Sequence, residues 1–461
     1  MDSKGLPEQA IAERFAAWAT GLAPGDVPDD VRAAARHALL DFAGLCVSAR
    51  NEDYVRAVRE SWDGRGAVTA IGHGAALDAA GAAFVNGTAA HGEDYDDTFE
   101  GTPVHTGAVI LPAVLAAAER HGRSGADVLR GIAVGTEFMC RMALVATTGI
   151  HRAGFHPTAV IGALGAAAAV SATLGSTARQ MASALGTAGS MASGIIEYLA
   201  EGTWTKRIHA GWAAQSGLRA ALMARAGFMG PRTVIEGQHG FFFAFAAHDA
   251  RRDFAAMTDG LGARWHAANI AFKPYPCGTM TQPFIDCAVA LARDGVRPAD
   301  IVEIACEVGE GTVHRLWEPL AEKKAPSTSY SAKFSVPFCI AVALADGACG
   351  LGQFSEARIG DREVMDLAAR IGYVIDPDNE YPRNYSGHIQ ATLKDGSVRE
   401  VRQPHLRGGR REPLTADELR AKFRANCAFG GWAEARTTAL EEFCAGAFDA
   451  ANVKGLAAFR G

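Results

Sequence analysis

The 461 residues carry 49% hydrophobic and 21% charged side chains with a formal net charge of −6, a profile of a globular protein long enough for two or more domains. The acidic balance speaks against a nucleic-acid partner, which needs a basic surface, and no run of about twenty strongly apolar residues calls for a membrane span. The nine cysteines are scattered with no Cys-x-x-Cys pair, so reduced thiols in a cytoplasmic protein are expected rather than a zinc or thioredoxin-type site.

Residues 7–21 form an amphipathic stretch with Ile11, Phe15 and Trp18 on one helical face and no signal-peptide core. Pro24 and Pro28 break it, and Asp29 and Asp30 are expected to cap a helix from Val31 to about Arg50. Further helices are expected over about Ala75 to His91, and from Pro112, as a first-turn proline, to about His121. Others are expected over Gly125–Thr148, Gly154–Gly175, Thr177–Tyr198 and Trp212–Ala226. Almost no period-two pattern occurs before residue 265.

The texture changes near Lys273. Ile301–Val308 alternates as a strand does, and His388–Val401 reads as a hairpin turning at Asp395-Gly396. Helices are expected at about Pro283–Asp294, Ser335–Gly347 and Arg362–Arg370, the last ended by Gly372. After the basic loop HLRGGRREP come helices from about Ala416 to Asn426 and over 433–449, the last of which could pack back on the N-terminal block.

The chemistry concentrates in Asn86–Leu111, where Asn86, His91, Glu93, Asp94, Asp96, Asp97, Thr98, Glu100 and His105 lie between two Ala-rich apolar runs. A solvated acidic loop would explain the charges. A polar knot between buried flanks instead has to pair its groups, and such clusters shift pKa values and mark functional sites. His105, in a loop beside Pro103, is free to point into a cleft or to cap the next helix. His156 precedes Pro157 and so sits extended before a helix N-terminus, where a carboxylate can rest. Lys206 beside Arg207 and His209 reads, as a lone basic triplet, as solvated surface. Lys273 opens a stretch stiffened by Pro274 and Pro276.

Five motifs stand in order: NGTAAHGEDYDDTFEGTPVHTGAVILPA, GFHPTAVIGALGAAAA, GTWTKRIHAGWAAQSGL, GFMGPRTVIEGQHGF and FKPYPCG. Together they resemble the MmgE/PrpD family, which includes 2-methylcitrate dehydratase, cis-aconitate decarboxylase and iminodisuccinate epimerase. The resemblance implies a mainly α protein: a large helical domain from both chain ends, residues 1–269 and 404–461, with an inserted α+β lid over 270–403. It also implies a homodimer and a cofactor-free reaction on a small carboxylic acid. Residue by residue, it makes His105, Asp94, Lys206 and Lys273 catalytic, with Asp94 orienting an imidazole, and makes Thr98, His156 and His91 substrate-binding.

Metal is not expected: Glu93, Asp94, Asp96 and Asp97 lack EF-hand spacing, and neither a dinucleotide fingerprint, a P-loop nor an HExxH motif occurs. A cofactor-independent lyase acting on a di- or tricarboxylate, dehydratase or decarboxylase in type, is the expectation. An epimerase and a non-catalytic carboxylate-binding protein are the alternatives. Two departures favour an epimerase-like branch: where decarboxylase-type relatives carry a His after KPYPCG, this chain reads Cys277 to Gln282 without one, and its EGTPVH spacing is longer by one residue.

Overall fold

The computed structural model describes residues 7–461 except Gly101 and Pro103. The chain is mainly α and divides into two compact units, residues 1–271 with 416–461, and residues 272–415.

In the first unit the Ala- and Gly-rich helices make the centre. Every residue of Ala79–His91 and of Pro157–Thr173 is buried, as expected of helices that are apolar all round. Small residues allow this. A Cβ placed on Gly87 would lie 2.5 Å from the Cα of Gly211, and one on Gly217 would lie 2.5 Å from the carbonyl oxygen of Ala163. The Thr205–Arg225 helix therefore meets both central helices at near backbone contact, which any side chain at those glycines would forbid. No helix among the described residues is long and apolar enough to cross a membrane. All nine cysteines are buried free thiols.

Several boundaries move, each for a local reason. The Asp29–Ser48 helix starts on Pro28, so Asp29 and Asp30 occupy its first turn rather than its cap. Pro112 stands inside the Gly107–His121 helix. The N–H it lacks would have gone to the carbonyl of Ala108, whose oxygen faces Gly87 across the helix contact. The lysine motif begins a helix at Thr205, seven residues before the expected Trp212, so Lys206 and His209 lie within its first two turns. A further helix, Asp53–Glu60, has no counterpart among the expected elements.

The last helix, Glu434–Gly446, does return to the N-terminal block, against Asp29–Ser48. The Ala416–Phe429 helix packs on Asp29–Ser48, with Phe423 closed down on Gly44. Lys422 reaches Asp41 at 2.7 Å and donates to the Tyr95 carbonyl at 2.8 Å. The polar knot is thereby tied to the far end of the chain.

The second unit is a four-stranded sheet in the order Ile371–Ile375, Ile301–Val308, Gly387–Leu393, Val398–Gln403. The first pair is parallel and the others antiparallel. The hairpin turns at Gly396, whose φ of 86° needs glycine. Gly372 does not stop a helix; it lies in the first of these strands, opposite Ala305. The Gln282–Arg293 and Val336–Asp346 helices carry the matching apolar faces, with Phe284, Leu291, Phe338 and Ile340 in the core.

Candidate active site

The knot is buried and paired, not a solvated loop. His91, Asp94, Asp96, Asp97, Thr98 and His105 are each at most 7% exposed. The Ala79–His91 helix ends at His91, and the chain reverses through Asp94, whose φ is 56°. Among the described residues Asp94 is the one non-glycine in the left-handed region, a conformation that aspartate tolerates better than most residues. The reversal aims the three carboxylates of Asp94, Asp96 and Asp97 differently. Asp94 ion-pairs with Lys206. Asp96 accepts from His91 Nδ1 at 2.7 Å, and its other oxygen lies 3.5 Å from His105 Nδ1. Asp97 turns away, accepting from the Gly107 N–H at 2.9 Å and from the Thr106 hydroxyl at 3.1 Å. It thereby closes the N-terminus of the next helix.

The carboxylate beside His105 is thus that of Asp96, not Asp94. Its ring is held further by the Asp97 carbonyl, 2.7 Å from Nδ1. Two oxygens at Nδ1 put the proton there, which leaves the lone pair on Nε2. The backbone N–H of His105 donates to the Thr158 hydroxyl at 3.1 Å, so the imidazole is fixed from both ends. Pro103, part of the expected loop, lies outside the described residues.

His156 caps the Pro157–Thr173 helix, its N–H donating to the Gly194 carbonyl at 2.9 Å. Its ring stacks on His91 at 5.6 Å between centroids, and the His91 and His105 rings meet edge-on at 5.1 Å. His209 completes a run of four imidazoles, its Nδ1 3.1 Å from that of His156. Lys206 and His209, three residues apart, project from one face of their helix. Arg207 stacks on the Tyr54 ring at 4.3 Å and meets Glu93 at 3.3 Å.

Burial governs the charges. It pushes the Asp97 carboxyl up to about 7, with the Asp96 carboxylate adding to the rise. Asp97 backs onto apolar side chains of Val31, Ala35, Ile110, Leu111 and Ile132. Burial likewise drives His156 well below its ordinary range and His209 down to about 3, with neighbouring imidazoles and Lys206 acting in the same direction. Both rings are neutral near pH 7, while Lys206 supplies a positive charge.

Among the described residues, His91, Asp96 and His105 are the group with metal-ligand spacing. Both Nδ1 atoms, however, point at oxygens 2.7 Å away, the position of N–H donors. A metal held through these two Nδ1 atoms would have to displace both protons.

Thr98 is buried in a short strand, Thr98–Phe99, paired with Ile270–Ala271. Lys273, two residues further along the chain, belongs to the second unit and is 2% exposed. Seven of the expected site residues are therefore buried, and six of them lie in the first unit. Asp96, Asp97 and His209 were missing from the expected set. The spacing of Lys206 and His209 would have pointed to His209 had the helix been started at Thr205.

Residues 13–253 match the MmgE/PrpD N-terminal domain and residues 275–444 the MmgE/PrpD C-terminal domain. The chain belongs to the MmgE/PrpD family. It is similar to a cis-aconitate decarboxylase of Aspergillus terreus, 29% identical over 90% of this chain and 89% of that protein. It is also similar to the cis-aconitate decarboxylases of Mus musculus and Homo sapiens. Each is 31% identical over 75% of this chain, covering 71% of the mouse protein and 72% of the human one.

Proposed function

We propose that this chain is a cofactor-independent carboxy-lyase that removes CO2 from a small tricarboxylate of the cis-aconitate type. The names of its relatives support the substrate class. The observation that carries the chemistry is the held imidazole of His105, with Nδ1 on the Asp97 carbonyl and Asp96 behind it. Such a ring can take or give a proton at Nε2 without changing its orientation.

In this reading the Lys206 ammonium holds a substrate carboxylate, sharing its charge between that group and Asp94. The bond to the departing carboxylate breaks, CO2 leaves, and the bonding electrons stay on the carbon skeleton. His105 Nε2, having taken up a proton from solvent, gives it to carbon in place of the lost CO2. Asp96 stabilises the imidazolium that precedes this transfer, since it is the nearest carboxylate to Nδ1. The absence of a histidine over Cys277 to Gln282 makes this site differ from the decarboxylase pattern in the second unit, so the proposal rests on the first-unit groups.

Incubation with cis-aconitate in D2O, followed by NMR, tests it. The expected result is loss of CO2 and a single deuterium on a product carbon, with His105→Ala lowering kcat by about 10²–10⁴-fold. Deuterium exchange at carbon without CO2 loss, on any small dicarboxylate, would select an epimerase. Binding without turnover over a panel of di- and tricarboxylates would sink the enzymatic reading.

A further inference from the structure

The two Nδ1 atoms of His156 and His209 face each other at 3.1 Å, with the rings tilted by 36°. Two N–H groups cannot face each other at this distance, and two lone pairs would repel. One proton must lie between them, on one ring or the other. Both rings are buried among close neighbours. His156 is anchored through its backbone to Gly194 and by the following proline. A Cβ on Gly194 would lie 3.4 Å from His209 Nδ1, and the Tyr198 ring stands edge-on to both imidazoles, 6.3 Å from one and 5.7 Å from the other.

We propose that His209 is the positioning residue for His156: through the one shared proton it sets which face of that ring, lone pair or N–H, is offered at Nε2 to a substrate carboxylate. The substrate class rests on the decarboxylase reading above; the shared proton does not. Binding a carboxylate favours N–H at His156 Nε2. That state places the shared proton on His209 Nδ1, which donates to His156 Nδ1. When His156 Nε2 gives up its proton, the shared proton crosses to His156 Nδ1 while His209 Nε2 takes up a proton from water, so one proton leaves the pair and one enters it. Each ring starts and ends neutral, and no proton is created or lost. The surroundings favour this neutral passage: burial first, then His91 and Lys206 at both rings and His105 at His156, disfavour an imidazolium here, while Tyr198 faces both rings.

The test has a spectroscopic arm and a kinetic arm. With imidazole-¹⁵N-labelled protein near pH 7 and tricarballylate as an unreactive tricarboxylate, ¹⁵N–¹H correlation spectra report the tautomer of each ring. The expected result is two neutral rings of opposite kind, Nε2–H for His156 and Nδ1–H for His209. His209→Phe should leave His156 as a mixture of tautomers. In the kinetic arm, His209→Phe should raise KM for cis-aconitate about 10-fold with a smaller change in kcat, whereas His209→Gln, whose amide can donate or accept at the same place, should keep KM near the parental value. Two Nε2–H rings in the parent, an imidazolium at either position, or a His156 tautomer indifferent to His209→Phe would overturn the proposal. If the parent fails to turn over cis-aconitate, the decarboxylase reading falls while the spectra still decide the histidine pair.

Discussion

Nδ1 of His105 donates to the carbonyl oxygen of Asp97, and the Asp97 carboxylate accepts from the N–H of Gly107, two residues beyond that histidine. One residue thus orients the imidazole through its backbone and closes the following helix through its side chain. The arrangement keeps the carboxyl out of water, and burial first, with Asp96 second, raises it to about 7 from an ordinary value of 3.8.

A pH dependence of stability follows from that shift. Between the two values the unfolded chain releases this proton while the folded chain retains it, so this group's contribution falls as pH rises from about 4 to about 7 and is level above. Asn at this position can still accept from Gly107 and has no proton to lose. Relative to the parent, Asp97→Asn should therefore gain stability on going from about pH 4.5 to about pH 7.5, read as the shift in urea midpoint. An equal difference between the two proteins at both pH values would refute the assignment.

Asp96 is expected to matter through the two histidines it faces. Asp96→Asn keeps the shape but presents an amide that can donate, which disfavours N–H at Nδ1 of His91 and weakens the support of imidazolium at His105. The expected outcome is a fall in kcat of about 10²-fold with KM changed much less. A variant with full kcat and a raised KM would place Asp96 in substrate binding instead.

Lys206 should behave in the opposite sense. A charged hydrogen bond is worth about 1.5–3 kcal/mol, so Lys206→Met should raise KM for cis-aconitate by about 10–150-fold. Since the change also leaves Asp94 buried without this cation, thermal unfolding should be measured alongside. If KM stays at the parental value while the melting temperature drops, Lys206 is a structural partner of Asp94 and not a substrate cation.

Activity should survive exhaustive dialysis against EDTA, because the His91–Asp96–His105 group is arranged as donors on acceptors. A loss restored by one divalent ion, with that ion binding one per chain by calorimetry, would make this group a metal site.

Much of this was legible in the residues. The Ile301–Val308 strand lies where its alternation put it, although a register shift between Ile301 and Glu303 leaves Val302 and Glu303 both exposed. The hairpin turn was legible from Asp395-Gly396, because a positive φ restricts what can stand there. The burial of the knot was legible from its apolar flanks. The partners inside it were not. Asp94 and Asp96 are chemically equivalent in a string of letters, and only the left-handed backbone at Asp94 sends one to Lys206 and the other to the histidines. Helix starts such as Gly107 and Thr205 were missed because their N-termini are closed by contacts from elsewhere in the chain or by the preceding loop. At Gly107 the closing group is Asp97, ten residues away.

The contact between Gly87 and Gly211 reaches further than its own helices. His91 stands one turn beyond Gly87, and His209 and Lys206 stand within a turn and a half before Gly211. The absence of two methyl groups is therefore the gauge that fixes how far the acid–base groups of one helix stand from those of the other. A descendant of this protein could inherit every histidine, aspartate and lysine unchanged and still lose its chemistry by acquiring one alanine at a place no reactant ever touches.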